Sequence, residues 1–174
     1  MKLDTPRGSV LYVDDVDTFT TALTALKANE ETLAIDTERA SGFRYSQRAF
    51  LLQIGLVTQE IFLLDPPALD DTVSDWQEQV AAEINDKPWL LHAATQDIPC
   101  LIELGLSSPS IIDTERAARI GGFARVGLGS LVEELLDFEL AKEHSASDWS
   151  LRPLSESLLS YAALDVDVLH ELWD

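Results

Sequence analysis

Positive charge and cysteine are both scarce in this chain. Twelve lysines and arginines stand against 31 aspartates and glutamates, which gives a formal net charge of −19 at pH 7, and the only cysteine among the 174 residues is Cys100. A single cysteine excludes an internal disulfide and a cysteine-based zinc site, and it is typical of a reducing compartment. The shortage of basic side chains argues against nonspecific binding of nucleic acid, because phosphate contacts depend on lysine and arginine. Any contact with nucleic acid is expected to be local.

Long apolar runs are also absent. No stretch of 18 apolar residues occurs, and the first 15 residues include Asp4, Asp14 and Asp15 where a signal peptide needs an apolar block. These absences predict a cytoplasmic protein that does not contact membranes. The chain, 46% hydrophobic over 174 residues, is long enough for one domain with a full core and too short for two. We therefore expect a single domain over residues 1–174 and a monomer.

The most informative stretch is Leu33–Glu38, an apolar run that ends in two carboxylates two positions apart. Side chains alternate faces along a strand, so Asp36 and Glu38 are predicted to project from the same face. Two neighbouring acids at the end of an apolar strand are costly unless a cation neutralises them, and oxygen ligands suit Mg²⁺ or Mn²⁺. An alternative interpretation places the pair on a loop just past the strand, with Asp36 capping a turn. This stretch alone does not decide between the two.

Hydrophobic patterning predicts an α/β fold. A strand at Val10–Val13 and a helix up to about Asn29 open the chain. Five further strands are predicted: Leu33–Glu38, Phe50–Val57, Ile61–Leu64, Trp89–His92 and Ile111–Ile112. The first three of these indicate an antiparallel meander, and helices alternate with the later strands. Helices are predicted around Val73–Asp86 and at Thr95–Leu104, Thr114–Ile120, Ser130–Leu136 and Ser155 to the chain end, with a polar loop at Lys142–Asp148 that holds His144.

The last predicted helix carries a second acidic feature. Tyr161 and Asp165 fall on its apolar side, whereas Asp167 and His170 belong to a polar stripe that is predicted to face solvent. A carboxylate among apolar side chains needs a strong partner, and Tyr161 points to the same place one turn earlier. The alternative is a hydrogen-bonded Tyr161–Asp165 pair that ties the helix to a neighbouring segment. The apolar pattern continues to Trp173 without a terminating residue, which predicts that the natural protein is longer.

Three motifs in order resemble those of the DEDD exonucleases. Asp36-Thr37-Glu38 follows one strand, His92-Ala-Ala-Thr-Gln-Asp97 follows another, and Tyr161-Ala-Ala-Leu-Asp165 lies on the last helix. A tyrosine four residues before the last aspartate is typical of the DEDDy branch. The preceding segment, Ser147–Leu154 with its Trp-x-x-Arg-Pro-Leu pattern, is similar to the extended third motif of the ribonuclease D group. Other positions that match this group are Leu52-Gln53-Ile54 and Asp113-Thr114 with Ala117.

The resemblance implies a ribonuclease-H-like α/β fold with a mixed five-stranded sheet flanked by helices. It implies that Asp36, Glu38 and Asp165 hold one Mg²⁺ or Mn²⁺, that Asp36 bridges to a second ion and that Asp97 supports this second ion. Two such ions relieve charge on the entering and leaving oxygens of an in-line displacement at phosphorus. Tyr161 would orient the attacking water, because an unperturbed phenol titrates near pH ~10 and is a poor base.

Three residues are predicted to contact substrate, namely Thr37, His92 and Arg125. For His92 the alternative is a strand-end histidine hydrogen-bonded to the backbone. The glycines around Arg125 match neither the dinucleotide fingerprint nor the P-loop, so no nucleotide cofactor is expected. Cys100 is predicted to be a small core residue and not a nucleophile.

Together, the motifs favour a metal-dependent 3′ to 5′ exoribonuclease that shortens single-stranded RNA 3′ ends, such as those of transfer-RNA precursors. One alternative is a DNA 3′ to 5′ exonuclease, because no motif separates ribose from deoxyribose. Another is a catalytically idle RNA-binding or scaffolding module, which the five filled catalytic positions argue against. Members of the group commonly carry helical nucleic-acid-binding domains after the exonuclease domain. This chain is therefore expected to be the exonuclease domain of a longer protein, with its substrate affinity located elsewhere.

Overall fold

The computed structural model describes residues 1–40, 48–141 and 147–174. His144 and most of the predicted polar loop around it lie outside these residues. The strands are β1 (Lys2–Leu3), β2 (Ser9–Val13), β3 (Leu33–Arg39), β4 (Ala49–Gly55), β5 (Glu60–Leu64), β6 (Trp89–Leu91), β7 (Ile111–Asp113) and β8 (Glu139–Leu140). The helices are α1 (Val16–Ala28), α2 (Pro66–Thr72), α3 (Trp76–Ile84), α4 (Ile98–Glu103), α5 (Thr114–Ile120), α6 (Leu128–Leu136), α7 (Glu156–Asp167) and α8 (Leu169–Trp173), with a 3₁₀ turn at Ala94–Gln96.

A six-stranded mixed sheet in the order β2-β5-β4-β3-β6-β7 forms the centre of the molecule. The central strands β5, β4 and β3 pair antiparallel, which confirms the predicted meander, and β6 and β7 add parallel to β3. The sheet has one strand more than the predicted five, because β2 pairs in parallel with β5 from Ser9 opposite Glu60 to Val13 opposite Leu64. A parallel partner so far along the chain leaves no local pattern, so the sequence indicates the strand but not its place in the sheet.

Helices cover both faces of this sheet. One buried cluster joins α1, α3 and α4 to one face, and Trp76 and Trp89 are among its largest members. The second cluster joins α7 to the opposite face and includes Ala34, Leu51 and Ala163. Because Asp36 and Glu38 follow Ala34 at every second position of β3, they lie on the face that α7 covers. The sheet therefore directs both acids toward the helix that carries Asp165.

Two predicted helices differ from those in the structure. The helix predicted around Val73–Asp86 is preceded by α2, whose first turn Asp65 caps by accepting a hydrogen bond from the Ala68 amide at 3.2 Å. The predicted last helix breaks at Val168 into α7 and α8. Prolines at the start of α2 fit its first turn, where no amide donor is needed. None of the described helices has the length and apolar composition needed to cross a bilayer.

The prediction that Asp167 and His170 face solvent is wrong. The Asp167 side chain is only 1% exposed and accepts a hydrogen bond from Arg7 Nε at 3.0 Å. Nε2 of His170 lies 3.2 Å from the carbonyl oxygen of Gly55. The N-terminal segment covers this side of α7, and the periodicity of a helix cannot show what another part of the chain places against it.

Candidate active site

Three acids from two distant segments meet between β3 and α7. Carboxylate oxygens of Asp36, Glu38 and Asp165 all lie within 4.8 Å of one another. These residues line a cavity of about 410 Å³, together with Asp97 and Tyr161. The alternative interpretation, a pair on a loop with Asp36 capping a turn, is wrong, because both Asp36 and Glu38 lie within β3.

Asp97 reaches the same cavity from the start of α4. Its side chain is buried, and Thr37 Oγ1 donates a hydrogen bond to Asp97 Oδ1 at 2.7 Å. The Thr37 hydroxyl also lies 2.9 Å from Cys100 Sγ, and Cys100 donates to the Asp97 carbonyl oxygen at 2.9 Å. Thr37 therefore orients an acid of the cluster from the strand that carries two others. Cys100 is fully buried, as predicted for a small core residue.

The four carboxyl groups resist ionisation together. Burial is the largest cause in every case, and it holds the pKa values of Asp36 and Glu38 well above their usual range. It raises the pKa of Asp165 to about 7 and that of Asp97 to about 6, against the opposing effect of the Thr37 hydrogen bond on Asp97. Neighbouring carboxylates add to the shifts of Asp36, Glu38 and Asp165. A buried, self-repelling set of oxygen ligands fits a hard divalent cation such as Mg²⁺ or Mn²⁺.

Tyr161 lies one turn before Asp165 on α7 and lines the same cavity. Burial raises the pKa of its phenol, and the charges of Asp165, Glu38 and Asp36 raise it further. The hydroxyl therefore stays protonated at neutral pH. It is suited to hold another group by a hydrogen bond and not to remove a proton.

The comparison with known proteins agrees with this arrangement. A family model described as 3′-5′ exonuclease matches residues 10–174. The chain belongs to this 3′-5′ exonuclease family. The exonuclease domain is 36% identical over 146 residues to ribonuclease D of Pseudomonas paraeruginosa, covering 81% of this chain and 37% of that protein. Ribonuclease D of Shewanella sp. is 31% identical over 171 residues, covering 93% of this chain and 41% of the relative. The chain thus spans about two fifths of these relatives.

Solved structures share the fold of the exonuclease domain. A protein from Bifidobacterium adolescentis superposes with a TM-score of 0.90 at 42% identity, over 98% of this chain and 41% of that one. The EXO domain of Aedes aegypti Nibbler gives a TM-score of 0.83 at 22% identity, over 100% of this chain and 89% of its own. RNase D of Trypanosoma brucei gives 0.79 at 21% identity, over 95% of this chain and 64% of its own. The predicted ribonuclease-H-like fold is confirmed.

Gln53 supports Asp36 from the neighbouring strand of the exonuclease domain. The two residues are directly opposite in the β3–β4 register, and Gln53 Nε2 donates to Asp36 Oδ2 at 3.2 Å. Gln53 is fully buried, and within the described residues its Oε1 has no hydrogen-bond partner. In the sequence this position matches the ribonuclease D group, but the match predicts no role for it. The signal that would have assigned it is the pairing register of the meander, which sequence patterning alone does not provide.

His92 lines the cavity, and its Nδ1 lies 2.9 Å from Thr114 Oγ1. The Thr114 hydroxyl in turn donates to the carbonyl oxygen of Leu91 at 3.2 Å. The partner of His92 is therefore a side chain and not the backbone, in contrast to the alternative considered for it. Burial lowers the pKa of His92. A neutral imidazole is thus expected beside the acidic cluster.

Arg125 is not brought to the acidic cluster. Its Nη1 lies 3.4 Å from Glu133 Oε2 on the exposed surface, and Arg125 is absent from the described residues that line the cavity. Arg39, at the end of β3, does line it. The contacts of Thr37, His92 and Arg125 with substrate stay predictions.

Proposed function

We propose that this domain hydrolyses the terminal phosphodiester of single-stranded RNA from the 3′ end, with two bound Mg²⁺ or Mn²⁺ ions. The observation that carries the proposal is the meeting of Asp36, Glu38 and Asp165 within 4.8 Å in a cavity that also holds Asp97 and Tyr161. Membership of the 3′-5′ exonuclease family supports the reaction class. The ribonuclease D relatives support RNA as the substrate, and RNA 3′ ends such as those of transfer-RNA precursors are the proposed targets.

The assignment of ligands follows the family resemblance, and the meeting of Asp36, Glu38 and Asp165 supports it. Asp36, Glu38 and Asp165 would hold one ion, and Asp36 and Asp97 would hold the second. Bound there, the ions would lower the pKa of a coordinated water and neutralise charge at the reacting phosphate. Asp97 is buried, whereas Asp36, Glu38 and Asp165 are half-buried where they line the cavity, so a divalent cation can reach all four and relieve their mutual repulsion.

Tyr161 would orient the attacking water. The raised pKa of its phenol keeps the proton on the hydroxyl, so Tyr161 positions the nucleophile by a hydrogen bond and takes no proton from it. Replacing the hydroxyl should therefore lower turnover while leaving the carboxylate ligands in place.

His92 offers an acceptor for a sugar hydroxyl. The Thr114 hydroxyl uses its only hydrogen on the Leu91 carbonyl, so His92 Nδ1 carries a proton and donates to Thr114. In this neutral tautomer the other ring nitrogen, Nε2, carries no proton and can accept a hydrogen bond. An acceptor at the cavity suits the 2′-hydroxyl that distinguishes RNA from DNA.

Other parts of a longer protein would supply most of the substrate affinity. The net charge of −19 leaves few phosphate contacts to this domain, with Arg125 proposed as one of them. Because the chain covers 37% and 41% of two relatives, further helical nucleic-acid-binding domains are part of the proposal. Binding by the domain alone should be weak and salt-sensitive.

The proposal is tested with RNA and DNA oligonucleotides of one sequence, labelled at the 5′ end, under Mg²⁺ or Mn²⁺ titration. We expect a ladder of shortened RNA products from the wild type and none from Asp36→Asn. Asp71→Asn, an exposed acid on α2, is the control for loss of one negative charge and should give the wild-type ladder. DNA-only products would support a DNA exonuclease. An inactive wild type, or equal products from Asp36→Asn, would contradict the enzymatic proposal.

A further inference from the structure

Arg152 uses every hydrogen-bond donor that an arginine has. Its Nε and Nη2 donate to the two carboxylate oxygens of Asp65 at 2.6 and 2.9 Å. The second hydrogen of Nη2 goes to the Phe50 carbonyl oxygen at 2.7 Å. Nη1 donates to the carbonyl oxygens of Trp149 and Leu151, both at 2.7 Å. A guanidinium has five N–H groups, and all five donate a hydrogen bond here, which fixes the position of the side chain.

Asp65 is saturated in the same way. It is fully buried, and each of its carboxylate oxygens accepts two hydrogen bonds. Oδ1 accepts from the Ala68 amide at 3.2 Å and from Arg152, and Oδ2 accepts from the Tyr12 hydroxyl and from Arg152. The pair therefore joins β2, β4 and the start of α2 to the segment that contains Trp149. Such a bidentate, fully bonded pair has little freedom to shift.

The Trp149 side chain connects this pair to the active site. It is 1% exposed, and its ring lies 6.4 Å from the Tyr161 ring between centroids, tilted by 34°. Tyr161 packs against the core cluster that contains Trp149, and it also lines the acidic cavity. A displacement of Trp149 would therefore change the packing that directs the phenol.

We propose that Asp65 and Arg152 are positioning residues for Tyr161. Neither lines the acidic cavity among the described residues, and they act by holding the backbone of Trp149 so that its ring packs Tyr161 in place. This inference rests on the proposed role of Tyr161 in orienting water. It assigns the placement of that hydroxyl to an ion pair whose partners are 87 positions apart in sequence.

The structure offers a closely matched control pair. Arg7 and Asp167 form an ion pair whose side chains are 27% and 1% exposed, compared with 26% and 1% for Arg152 and Asp65. Arg7 packs over the Phe138 ring and not against Tyr161. Arg7→Lys therefore removes a guanidinium of equal burial, and it should lower thermal stability as much as Arg152→Lys does.

The first test is a double-mutant cycle on single-turnover RNA hydrolysis. A misplaced reacting group costs up to about 100-fold in rate, so we expect Arg152→Lys to lower kcat by about 10- to 100-fold with KM within about twofold. In a Tyr161→Phe background the same change should add less than about twofold, because the affected hydroxyl is already gone. Asp65→Asn should behave like Arg152→Lys, and Arg7→Lys should leave kcat within about twofold. Effects that multiply in the cycle, or equal kcat losses in Arg152→Lys and Arg7→Lys, would overturn the proposal.

The second test does not depend on activity. 3-Fluorotyrosine at position 161 reports the ring environment by ¹⁹F NMR. We expect Arg152→Lys and Asp65→Asn to shift or broaden this resonance, while Arg7→Lys leaves it unchanged. An unchanged resonance in Arg152→Lys overturns the proposal whether or not the wild type is active. A shifted resonance with an inactive wild type supports the positioning of Tyr161 and contradicts only the proposed function.

Discussion

Two groups of charged side chains, each at least half-buried, differ in how their charges are compensated. Asp65 has its carboxylate saturated by Arg152, Tyr12 and a backbone amide. The acids around Asp36 face one another instead, and burial together with mutual repulsion raises their pKa values. Removing one partner from a satisfied buried pair is costly, whereas a set of carboxylates that repel one another suits a cation. The contrast distinguishes the acids that are proposed to bind metal, without reference to any motif.

The largest expected effect comes from breaking the satisfied pair. Asp65→Ala leaves the Arg152 guanidinium without its partner and removes the cap of α2. Loss of one partner of a buried pair costs about 3–5 kcal/mol, and we expect about 3 kcal/mol here because Arg152 keeps 26% exposure. Urea unfolding measures this change. A loss below about 1 kcal/mol would show that the pair is not satisfied in the way described.

Asp36→Asn alters the acidic cluster, and it should lower activity while raising the stability of the metal-free protein. We expect RNA hydrolysis to fall by more than about 100-fold, since loss of even an outer-shell partner of a metal costs up to that much. The metal-free variant should be more stable than the metal-free wild type at pH 8, because a neutral amide replaces a carboxyl group whose ionisation is opposed by burial and by its neighbours. Hydrolysis rates and urea unfolding in a chelator measure the two effects. A metal-free variant less stable than wild type would contradict the repulsion.

The pH dependence of stability distinguishes the two groups further. Asp165 and Asp97 hold protons up to pKa values of about 7 and about 6 in the folded protein, while an unfolded aspartate releases its proton near pH ~3.9. The folded state binds more protons than the unfolded state between about pH 4 and about pH 7, so stability falls as pH rises through this window. At pH 6 these two groups hold about 1.4 protons more in the folded state, so the slope should be about 2 kcal/mol per pH unit without metal. Saturating Mg²⁺ should reduce this slope. A slope that is the same with and without Mg²⁺ would contradict the proposed ligands.

The smallest expected effect concerns the choice of sugar. His92→Phe removes the proposed acceptor for the 2′-hydroxyl and should lower the ratio of RNA to DNA hydrolysis by about threefold to tenfold, the range of one hydrogen bond. Matched RNA and DNA substrates measure the ratio. Ile102→Phe, an exposed apolar position on α4, is the control and should leave the ratio unchanged. Equal losses on both substrates would assign His92 a role that does not discriminate between sugars.

The sequence alone was sufficient wherever a short spacing decides the geometry. Asp36 and Glu38 share a face because they are two apart on a strand, and Tyr161 and Asp165 share one because they are four apart on a helix. Their convergence followed from the resemblance, and the structure bears out the meeting of Asp36, Glu38 and Asp165.

Interactions between distant segments could not be predicted in this way. The Thr37 bond to Asp97 joins positions 60 apart, and Arg152 reaches Asp65 over 87 positions. Gln53 faces Asp36 only because the meander adopts one register out of several. Periodicity describes one element at a time. It can therefore indicate the acids of the site but not the residues from other segments that hold them in place.

The contact between Arg7 and Asp167 has a practical consequence for anyone who shortens this protein. The family match begins at residue 10, so trimming to that boundary would delete Arg7. Asp167, whose side chain is only 1% exposed, would then lose its ion-pair partner. Asp167 lies two positions from Asp165 on the same helix. A version cut at the family boundary would therefore lose the segment that covers this side of α7 and expose Asp167 to water, so a change in its activity would reflect the cut and not the intact domain.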